Sequence, residues 1–580
     1  MHCTKIKTQL CVIGGGMSGI CVAVAAARRG VKVVLIQDRN VLGGNASEEV
    51  RMWIRGAGYL FPEYREGGLI EELALDNIHY NPTMNFSVWE GVLYNKVISE
   101  KNITLFLGTS CIGATENDGE IKSIDAWELA SYRKYRIYAD YFADCSGDSI
   151  LAEFTDAMIM QGRENVSQYG EDHAQQEPDA KTMGNSCILQ LRKVVGEIPL
   201  HQPFPFEKEL ISEFCDKRVD FCKVDNTLHN FWWIELGGDK DALKDAGSIN
   251  RELIATSFSV YTEYLKKNQN NKQKWVLDWI GFLAGKRETR RYVGDYVLCE
   301  QDIQNSQYFE DEIAYGGWSM DDHDPRGLYA ESPNINYYFD KPYAIPYRCV
   351  YSKNVKNLFF AGRNISVTHM ALSSTRVMAT CSMIGQAVGE ACALAVKYNE
   401  SPRGVGKYIG ELKQNLLQDD CYLLHTERKV SDTLMTSKSS LKENSLLRNA
   451  ERNLNGEDAA IKTKIGERIC FEFKEQFLKT IRIVFDSDFL RTKCKDPALK
   501  QFPMLCYNSG GQVVAEMPDT LVKDYVIEYR QNGVWHKFEV GGNFQRLRYH
   551  ELNCKADAIA FTGLSTYGAG EIRFFTIDLI

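Results

Sequence analysis

Residues 10–44 read LCVIGGGMSGICVAVAAARRGVKVVLIQDRNVLGG, and this stretch decides the fold. The apolar run from Leu10 to Ile13 leads into a glycine-rich turn at 14–19, and an alanine-rich stretch and a second apolar run at 31–36 follow. This order predicts strand, turn, helix and strand, which is the pattern of a βαβ unit. Such a unit binds the diphosphate of a dinucleotide through free N–H groups at the helix N-terminus.

Each position of the glycine turn has a predicted task. Gly14 permits the tight turn, Gly16 lets a diphosphate approach the backbone, and Gly19 lets the helix press against the sheet. Met17 and Ser18 begin the helix, whose dipole and free N–H groups favour phosphate. We therefore predict that these five residues belong to the cofactor site.

The end of the second strand departs from the usual pattern. An acidic residue normally stands there and binds ribose hydroxyls, but this chain has Gln37, followed by Asp38. Gln37 is able to hydrogen-bond a ribose hydroxyl, although more weakly than a carboxylate does. Both residues are predicted to contact the cofactor.

Two further segments distinguish a flavin from a nicotinamide cofactor. Gly43 and Gly44 follow the second strand, where many flavoproteins carry a glycine pair near the cofactor. Much later, residues 357–364 contain a short apolar run that ends in Gly362 and precedes a small-residue helix predicted over 374–398. A strand that returns late to close the nucleotide domain is typical of FAD proteins of the glutathione-reductase superfamily, and the sequence has no second GxGxxG for NAD(P)H. The predicted cofactor is FAD.

Segments near these strands add expected cofactor contacts. The turn after the strand at 138–145 resembles the flavoprotein segment that passes near the adenosine half. The N-terminus of the last helix is expected to face flavin N1 and O2, because a helix N-terminus stabilises negative charge. The residues assigned on these grounds are Arg51, Ser146, Gly147, Gly362, Arg363, Ser374 and Thr375.

Composition limits the class of protein and its partners. The chain has 580 residues, 44% hydrophobic and 25% charged, which is enough for about two to four globular domains. The net charge of −9 without a basic block disfavours nucleic acid as a partner, and no apolar run is long enough for a membrane span. A small-molecule partner is therefore expected.

The cysteines and the N-terminus bear on the compartment. Seventeen cysteines without a CxxC pair favour reduced thiols, and the first ten residues lack the apolar core of a signal peptide. A cytoplasmic protein is therefore expected, with a signal peptide already removed as the alternative. We predict no metal site.

The expected architecture is α/β with three parts. A Rossmann-like FAD-binding domain is split over residues 1–160 and 345–424, and a mixed α+β substrate domain is inserted at 161–344. From 425 to 580, short alternating runs separated by turn residues predict an all-β sandwich. The further predicted elements are helices at 248–267 and 274–283 and strands at 469–473, 480–485, 524–529, 535–540, 558–561 and 571–577.

Four motifs, taken with the N-terminal turn, resemble a known family. They are GKRETRR at 285–291, GGWSMDDHDP at 316–325, IPYR at 345–348 and AGRNISVTH at 361–369. Over residues 8 to 400 the chain resembles the FAD-dependent oxidoreductase family of bacterial glycan-degrading organisms, which implies FAD and redox chemistry more firmly than a substrate. The C-terminal part resembles a galactose-binding-like module of discoidin type, which implies either sugar binding or packing against the catalytic part.

The candidate catalytic residues lie inside these motifs. His369 stands between the closing strand and the last helix, a junction that lies beside the flavin ring in related folds, and His323 stands in an acidic loop. Histidine is the usual proton carrier near neutral pH. Arg290 is suited either to an anionic group or to a core ion-pair network with Glu288. The alternatives are helix capping or packing for His369 and a solvated surface turn for His323.

These features predict an FAD-dependent oxidoreductase that moves a hydride between flavin N5 and a hydroxyl or carbonyl carbon of a sugar-like small molecule. One alternative is a flavin-dependent reductase of an activated double bond, which needs an external electron donor. The other is a non-catalytic carbohydrate-binding protein with a vestigial nucleotide domain. The sequence leaves the electron acceptor and the oligomeric state open.

Overall fold

The computed structural model describes residues 3–196, 202–208, 231–267, 274–441, 451–494 and 514–580. Within them the α-helices are α1 (Met17–Arg28), α2 (Leu69–Tyr80), α3 (Phe86–Ile98), α4 (Val166–Tyr169), α5 (Ala246–Lys267), α6 (Glu300–Gln304), α7 (His369–Thr375), α8 (Met378–Tyr398), α9 (Ile409–Gln418) and α10 (Asp432–Thr436).

The strands of the first half are β1 (Cys3–Ile13), β2 (Val33–Ile36), β3 (Ile103–Phe106), β4 (Thr109–Asn117), β5 (Glu120–Glu128), β6 (Arg133–Asp144), β7 (Ile159–Gln161), β8 (Asn185–Val194), β9 (Phe231–Leu236), β10 (Lys274–Ile280) and β11 (Arg290–Tyr292). Those of the second half are β12 (Glu312–Gly316), β13 (Met320–His323), β14 (Asn334–Tyr337), β15 (Tyr343–Pro346), β16 (Leu358–Phe360), β17 (Lys438–Ser439), β18 (Ile461–Lys464), β19 (Arg468–Phe485), β20 (Val522–Gln531), β21 (Val534–Val540), β22 (Leu547–Thr566) and β23 (Glu571–Leu579).

The N-terminal region is built on a seven-stranded sheet with the order β3-β2-β1-β6-β5-β4 and with β16 beside β6. The pairs β1–β2, β2–β3, β1–β6 and β6–β16 are parallel, whereas β4 and β5 extend the sheet in antiparallel fashion. Every residue of β2 is buried, as expected for a continuous apolar run in a parallel sheet that is covered on both faces. The return of β16 to this sheet confirms the predicted closing strand.

Helix α8 lies directly on α1 because glycines remove the side chains that would separate them. A Cβ at Gly385 would lie 2.3 Å from the carbonyl oxygen of Ser18, and one at Gly389 would lie 2.5 Å from that of Val22. Helix α8 is also long and apolar enough to cross a membrane, but 94% of its apolar window is buried inside the protein. Its composition therefore reflects a core position.

The middle of the chain forms small sheets around α5. β8 lies between β9 and β10 in an antiparallel sheet, while β7 pairs with β11, β12 with β15 and β13 with β14. Helix α5 confirms the helix predicted at 248–267. The helix predicted at 274–283 is wrong, since residues 274–280 form β10. Its valine, isoleucine and two tryptophans favour a strand, and β8 provides the partner.

The C-terminal region is all-β, as predicted, and its strands form one antiparallel sheet with the order β18-β23-β19-β22-β20-β21 and with β17 beside β19. The strands predicted at 469–473 and 480–485 are a single strand, β19. Register shifts between Glu472 and Gln476 and between Leu478 and Thr480 mark irregularities that bend the strand without ending it. The β20–β21 hairpin turns at Asn532 and Gly533, both with positive φ, as its tight turn requires.

Buried ion pairs and hydrogen bonds join this sheet to the N-terminal region. Arg546 Nε lies 2.7 Å from a carboxylate oxygen of Asp420, which follows α9. Glu71 of α2 accepts a hydrogen bond of 3.0 Å from Ser487 and pairs with Arg491 at 3.2 Å. The two regions are therefore in direct polar contact.

Candidate active site

A cavity of about 580 Å³ is lined by residues of both the glycine turn and β13. One end is formed by the turn after β1, the end of β2 and the start of β4. The other end is formed by the segment at 283–287, by β13 and by the first residues of α8. A pocket of this size is typical of a cofactor and substrate site.

The glycine turn leaves its backbone open to the cavity. Gly14 has φ +101°, and a Cβ there would lie 2.6 Å from the carbonyl oxygen of Cys145, so only glycine fits. Gly43 donates a backbone hydrogen bond of 2.9 Å to Gly15, which holds the second glycine pair against the first turn. A Cβ on Gly16 would have 3.9 Å of space to its nearest neighbour, Gly44. The result is a side-chain-free cradle that fits the diphosphate of FAD.

Most of the residues assigned to the cofactor line this cavity. They are Gly14, Gly16, Met17, Ser18, Gln37, Asp38, Gly43, Gly44, Ser146, Gly147, Gly362 and Arg363. Gly19 lies behind it, since a Cβ there would lie 1.8 Å from the carbonyl oxygen of Gly14. Its absent side chain lets α1 pack against the turn.

Gln37 has a different task from the one expected. Its Oε1 accepts a hydrogen bond of 2.7 Å from the Gly15 N–H, and its Nε2 donates to the Val41 carbonyl at 3.1 Å. The Gln37 carboxamide therefore stabilises the glycine turn through hydrogen bonds to the backbone. Asp38, whose side chain is 66% exposed, is the carboxylate left at this end of the cavity to accept hydrogen bonds from a ribose.

Arg363 is neutralised by a carboxylate that the sequence analysis missed. Its Nη2 lies 2.8 Å from Asp148, whose other oxygen lies 2.6 Å from Lys286 Nζ. Burial alone would raise the pKa of Asp148, but Arg363 and Lys286 hold it below its usual range. This ion-paired cluster forms a wall of the cavity next to Gly147.

Three residues assigned to the cofactor lie elsewhere. The guanidinium of Arg51 donates to Gln190 at 2.8 Å and stacks on Trp279, with 4.1 Å to the ring centroid. Ser374 hydrogen-bonds the Trp318 carbonyl oxygen, and Thr375 is fully buried. None of the three lines the cavity.

The reason for the misplacement of Ser374 and Thr375 is a break in the predicted helix. Val377 is extended, with φ −67° and ψ 142°, so that α7 ends before it and α8 begins after it. The helix N-terminus that faces the cavity therefore carries Arg376, Val377 and Met378. Its positive dipole end is available to the cofactor, as predicted for this helix but at a later residue.

His369 is a buried structural cation. Its Nδ1 lies 2.9 Å from Glu288 and its Nε2 lies 3.0 Å from Asp322, and the residue is 2% exposed. Burial opposes its charged form, but the two carboxylates raise the pKa of His369 to about 10. Because the ring does not line the cavity, we interpret His369 by the packing alternative.

His323 does line the cavity. Its Nδ1 lies 2.7 Å from Glu235 and its Nε2 lies 3.0 Å from Asp321. Burial would lower the pKa of His323, but Glu235 and Asp321 raise it above its usual value. The residue is 8% exposed, so the surface-turn alternative is wrong.

Arg290 pairs with Glu153, whose side chain is 59% exposed, and the core ion-pair network predicted with Glu288 contains Arg291 instead. The Arg290 Nη1 lies 2.6 Å from Glu153, and its Nε donates to the Asp148 carbonyl at 3.2 Å. Arg291 pairs with Glu288 at 2.7 Å and is fully buried. Arg290 does not line the cavity, so a catalytic role has no geometric basis.

The far end of the cavity contains charged and aromatic residues that sequence reasoning did not assign to catalysis. Arg287, Asp321 and Arg376 line it together with Arg55 and Trp318. The Arg55 guanidinium lies against the Trp318 ring, with 5.5 Å to the centroid, and burial lowers the pKa of Arg55 to about 9. One available signal was the spacing of Asp321 and His323, which places both on the same face of a strand.

Among the residues the structure describes, no group of three or more His, Cys, Asp or Glu side chains is arranged to hold a metal ion. The cysteines of the described ranges are free thiols. Cys145 and Cys381 line the cavity, and burial raises the pKa of Cys381 to about 12. These thiols are therefore protonated at neutral pH.

Three-dimensional comparison returns solved structures of low similarity. A geranylgeranyl bacteriochlorophyll reductase-like protein from Thermoplasma acidophilum matches at 10% identity over 72% of this chain and 86% of its own, with a TM-score of 0.32. The p-nitrophenol 4-monooxygenase of Pseudomonas putida matches at 10% identity over 71% and 85%, with the same TM-score of 0.32. A glycerol-3-phosphate dehydrogenase from Bacillus halodurans, complexed with FAD, matches at 11% identity over 32% and 40%, with a TM-score of 0.19.

No curated protein matches the sequence. The family model described as FAD dependent oxidoreductase matches residues 9–416, which include the glycine turn, the closing strand and the charged end of the cavity. The match covers well over half of the chain, and the cradle at Gly14 and Gly16 fits the cofactor that this family uses. The chain therefore belongs to the family of FAD-dependent oxidoreductases.

Proposed function

We propose that this enzyme interconverts a hydroxyl and a carbonyl group on a small, sugar-like molecule that binds at the His323 end of the cavity. When bound, FAD supplies hydride transfer at N5. The single observation that carries the proposal is one cavity that is lined both by the glycine cradle and by His323.

His323 is the residue we expect to manage the proton. A carbonyl that receives a hydride also needs a proton on oxygen, and a positioned acid typically contributes about 10²–10⁴-fold. Glu235 and Asp321 contact the two ring nitrogens and raise the pKa of His323 above its usual value, which favours the proton-donating form of the ring. The arrangement therefore extends proton donation by His323 to higher pH than an isolated histidine would allow.

The aromatic and cationic side chains around this end would position the substrate. Trp318 offers a ring face suited to stacking on a sugar, and Arg376 donates to Asp321 at 3.1 Å while lining the cavity. These groups also restrict the space open to bulk water. Binding and orientation are the main contributions the protein makes to flavin chemistry.

The proposal is tested by following the visible flavin absorbance under anaerobic conditions. Purified FAD-loaded protein is mixed with a panel of sugars and sugar acids, and dithionite-reduced protein is mixed with the corresponding keto and aldehyde compounds. We expect bleaching in the first experiment or recovery of the oxidised spectrum in the second. If neither occurs with any member of the panel, the proposal fails.

Reduction of an activated double bond is the second candidate. It is favoured by the same His323 beside Arg287 and Arg376, because cations polarise a conjugated acid group. Recovery of the oxidised flavin spectrum with enoates, but not with carbonyl compounds, would select this candidate. A vestigial nucleotide domain has no support, since the chain belongs to an enzyme family and its glycine cradle is intact.

For the C-terminal sheet we propose a galactose-binding-like module in a cytoplasmic enzyme. Trp535 is partly exposed, and the guanidinium of Arg468 lies 4.3 Å from its ring centroid, which offers a surface for sugar stacking. Titration of the full chain with galactose, followed by tryptophan fluorescence, tests this module. Unchanged fluorescence would leave it a packing domain only.

A further inference from the structure

We infer that the substrate carries an oxyanion group, a carboxylate or a sulfate or phosphate ester, which binds between Arg287 and Arg376 at the charged end of the cavity. This inference rests on the proposed function, because it concerns the substrate of that same site. It adds a charge requirement that a neutral sugar does not meet.

The first observation is an excess of cations. Arg287 and His323 share one oxygen of Glu235, at 3.3 and 2.7 Å, and Arg376 and His323 share one oxygen of Asp321, at 3.1 and 3.0 Å. Three positive side chains are thus connected by two carboxylate oxygens. Arg55, which also lines this end, adds a fourth positive charge. A bound oxyanion would reduce the imbalance.

The second observation is a pair of buried donors on side chains that line this space. Among the described residues, the Arg376 Nε and the Trp318 Nε1 are buried and have no hydrogen-bond partner. Both residues line the cavity. A buried donor without a partner is costly, so native structures usually satisfy such groups with a ligand or an ordered water. An oxyanion accepts hydrogen bonds from both donor types.

The electrostatic environment agrees with this geometry. Burial lowers the pKa of Arg376, and repulsion from Arg287 adds to the effect, although Asp321 opposes it. An added negative charge would favour the charged form of both guanidinium groups. Arginine binds carboxylate, sulfate and phosphate with paired N–H donors, which makes it suited to this task.

The cofactor phosphates do not explain these cations. The diphosphate cradle lies at Gly14 and Gly16, at the other end of the cavity. The arginine nearest to the turn at Gly147 is Arg363, which pairs with Asp148 at 2.8 Å, and Lys286 shares that carboxylate at 2.6 Å. Arg287 and Arg376 belong to a different cluster, since they pair with Glu235 and Asp321 beside His323.

The test compares a neutral probe with three anionic probes on the FAD-loaded full chain. D-glucose, D-glucuronate, D-glucose 6-sulfate and D-glucose 6-phosphate are titrated while the flavin spectrum reports binding, and the flavin redox state is followed in the same samples. The three anions distinguish the source of the oxyanion. We expect at least one of them to bind more than tenfold more tightly than glucose.

Arg376→Gln is the decisive variant, with Arg326→Gln as its control. Arg326 pairs with Asp324 on the surface, with 65% of its side chain exposed, and does not line the cavity. A hydrogen bond to a charged group is worth about 1.5–3 kcal/mol. We therefore expect Arg376→Gln to lower the affinity for the anionic probe about 10- to 150-fold. Glucose binding should change less than about threefold, and Arg326→Gln should match the wild type.

Trp318→Phe keeps the inference falsifiable if Arg376→Gln does not fold or hold FAD. It removes one N–H donor while preserving a ring, and we expect about fivefold weaker binding of the anion. Anionic probes that bind no more tightly than glucose, or that bind both variants as they bind the wild type, would overturn the inference. Arg376-dependent binding without any flavin redox change would support it and count against the proposed function. Turnover of glucose without binding of any anionic probe would support the proposed function and count against the inference.

Discussion

Two histidine clusters of nearly the same composition lie on opposite sides of β13, and they differ in what surrounds them. His323 is held by Asp321 and Glu235 beside the cavity, and His369 is held by Asp322 and Glu288 in the core. Successive residues of a strand point to opposite faces, so adjacent aspartates serve different clusters. Access to the cavity, rather than the chemistry of the cluster, therefore separates the histidine that we propose as the acid from the one that we interpret as structural.

The largest expected effect is a loss of stability when the histidine of the core cluster is replaced. In His369→Gln, Glu288 keeps Arg291, but Asp322 loses the cation that it contacts at 3.0 Å. Removal of one partner of a buried ion pair costs about 3–5 kcal/mol. Urea unfolding should show this loss in the free energy of unfolding. A variant as stable as the wild type but with strongly reduced turnover would reverse the assignments of the two histidines.

His323→Gln should have the opposite profile. The carboxylates of Glu235 and Asp321 keep Arg287 and Arg376 as partners, so the stability cost is smaller than for His369→Gln. The reaction loses its proton donor, and we expect the rate of flavin reoxidation by substrate to fall about 10²-fold. Stopped-flow absorbance measures this rate. A rate within twofold of the wild type would exclude His323 as the acid.

The pH dependence of stability sharpens the same contrast. The pKa of His369 is raised from 6.5 in the unfolded chain to about 10 in the folded protein. Its stabilising contribution is therefore complete below about pH 6.5 and is lost as the pH rises to 10, with a slope of at most about 1.4 kcal/mol per pH unit. Unfolding of the wild type and of His369→Gln at several pH values should show curves that converge toward pH 10. Parallel curves would contradict the assignment.

The smallest effect comes from the matched pair Asp321→Asn and Asp322→Asn. Asp321→Asn weakens one carboxylate contact of His323, so its pKa should fall and the alkaline limb of the reductive rate should move to lower pH. The rate near neutral pH is expected to fall about fivefold, the equivalent of about 1 kcal/mol. Asp322→Asn should leave that pH profile in place and lower stability instead. If both variants had the same pH profile, the conclusion that Asp321 and Asp322 act on different histidines would be wrong.

The sequence predicted the cofactor end far better than the substrate end, for a physical reason. A left-handed φ at Gly14 and the close approach of Gly19 to the Gly14 carbonyl oxygen can be met only by glycine, so the fold leaves a local signature. His323 and His369 obtain their function from Glu235 and Glu288, which lie 88 and 81 residues away in the chain. No local pattern records those distances.

The C-terminal strands show a similar limit. Alternating runs identified most of the strands, but the bends within β19 were taken as strand ends because polar residues interrupt the run. The break at Val377 is also hard to predict, since no glycine or proline stands between His369 and Ile384. Helix ends that depend on backbone geometry alone, without glycine or proline, leave no compositional signal.

The polar contacts between the C-terminal sheet and the N-terminal region have a consequence for how the protein melts. Arg546 with Asp420 and Arg491 with Glu71 would each leave a buried charge unbalanced if the two regions separated. Heat should therefore unfold both regions in one cooperative transition, and a chain shortened to its coenzyme half should be insoluble. The sheet at the end of the chain is thus part of the scaffold on which the flavin pocket depends.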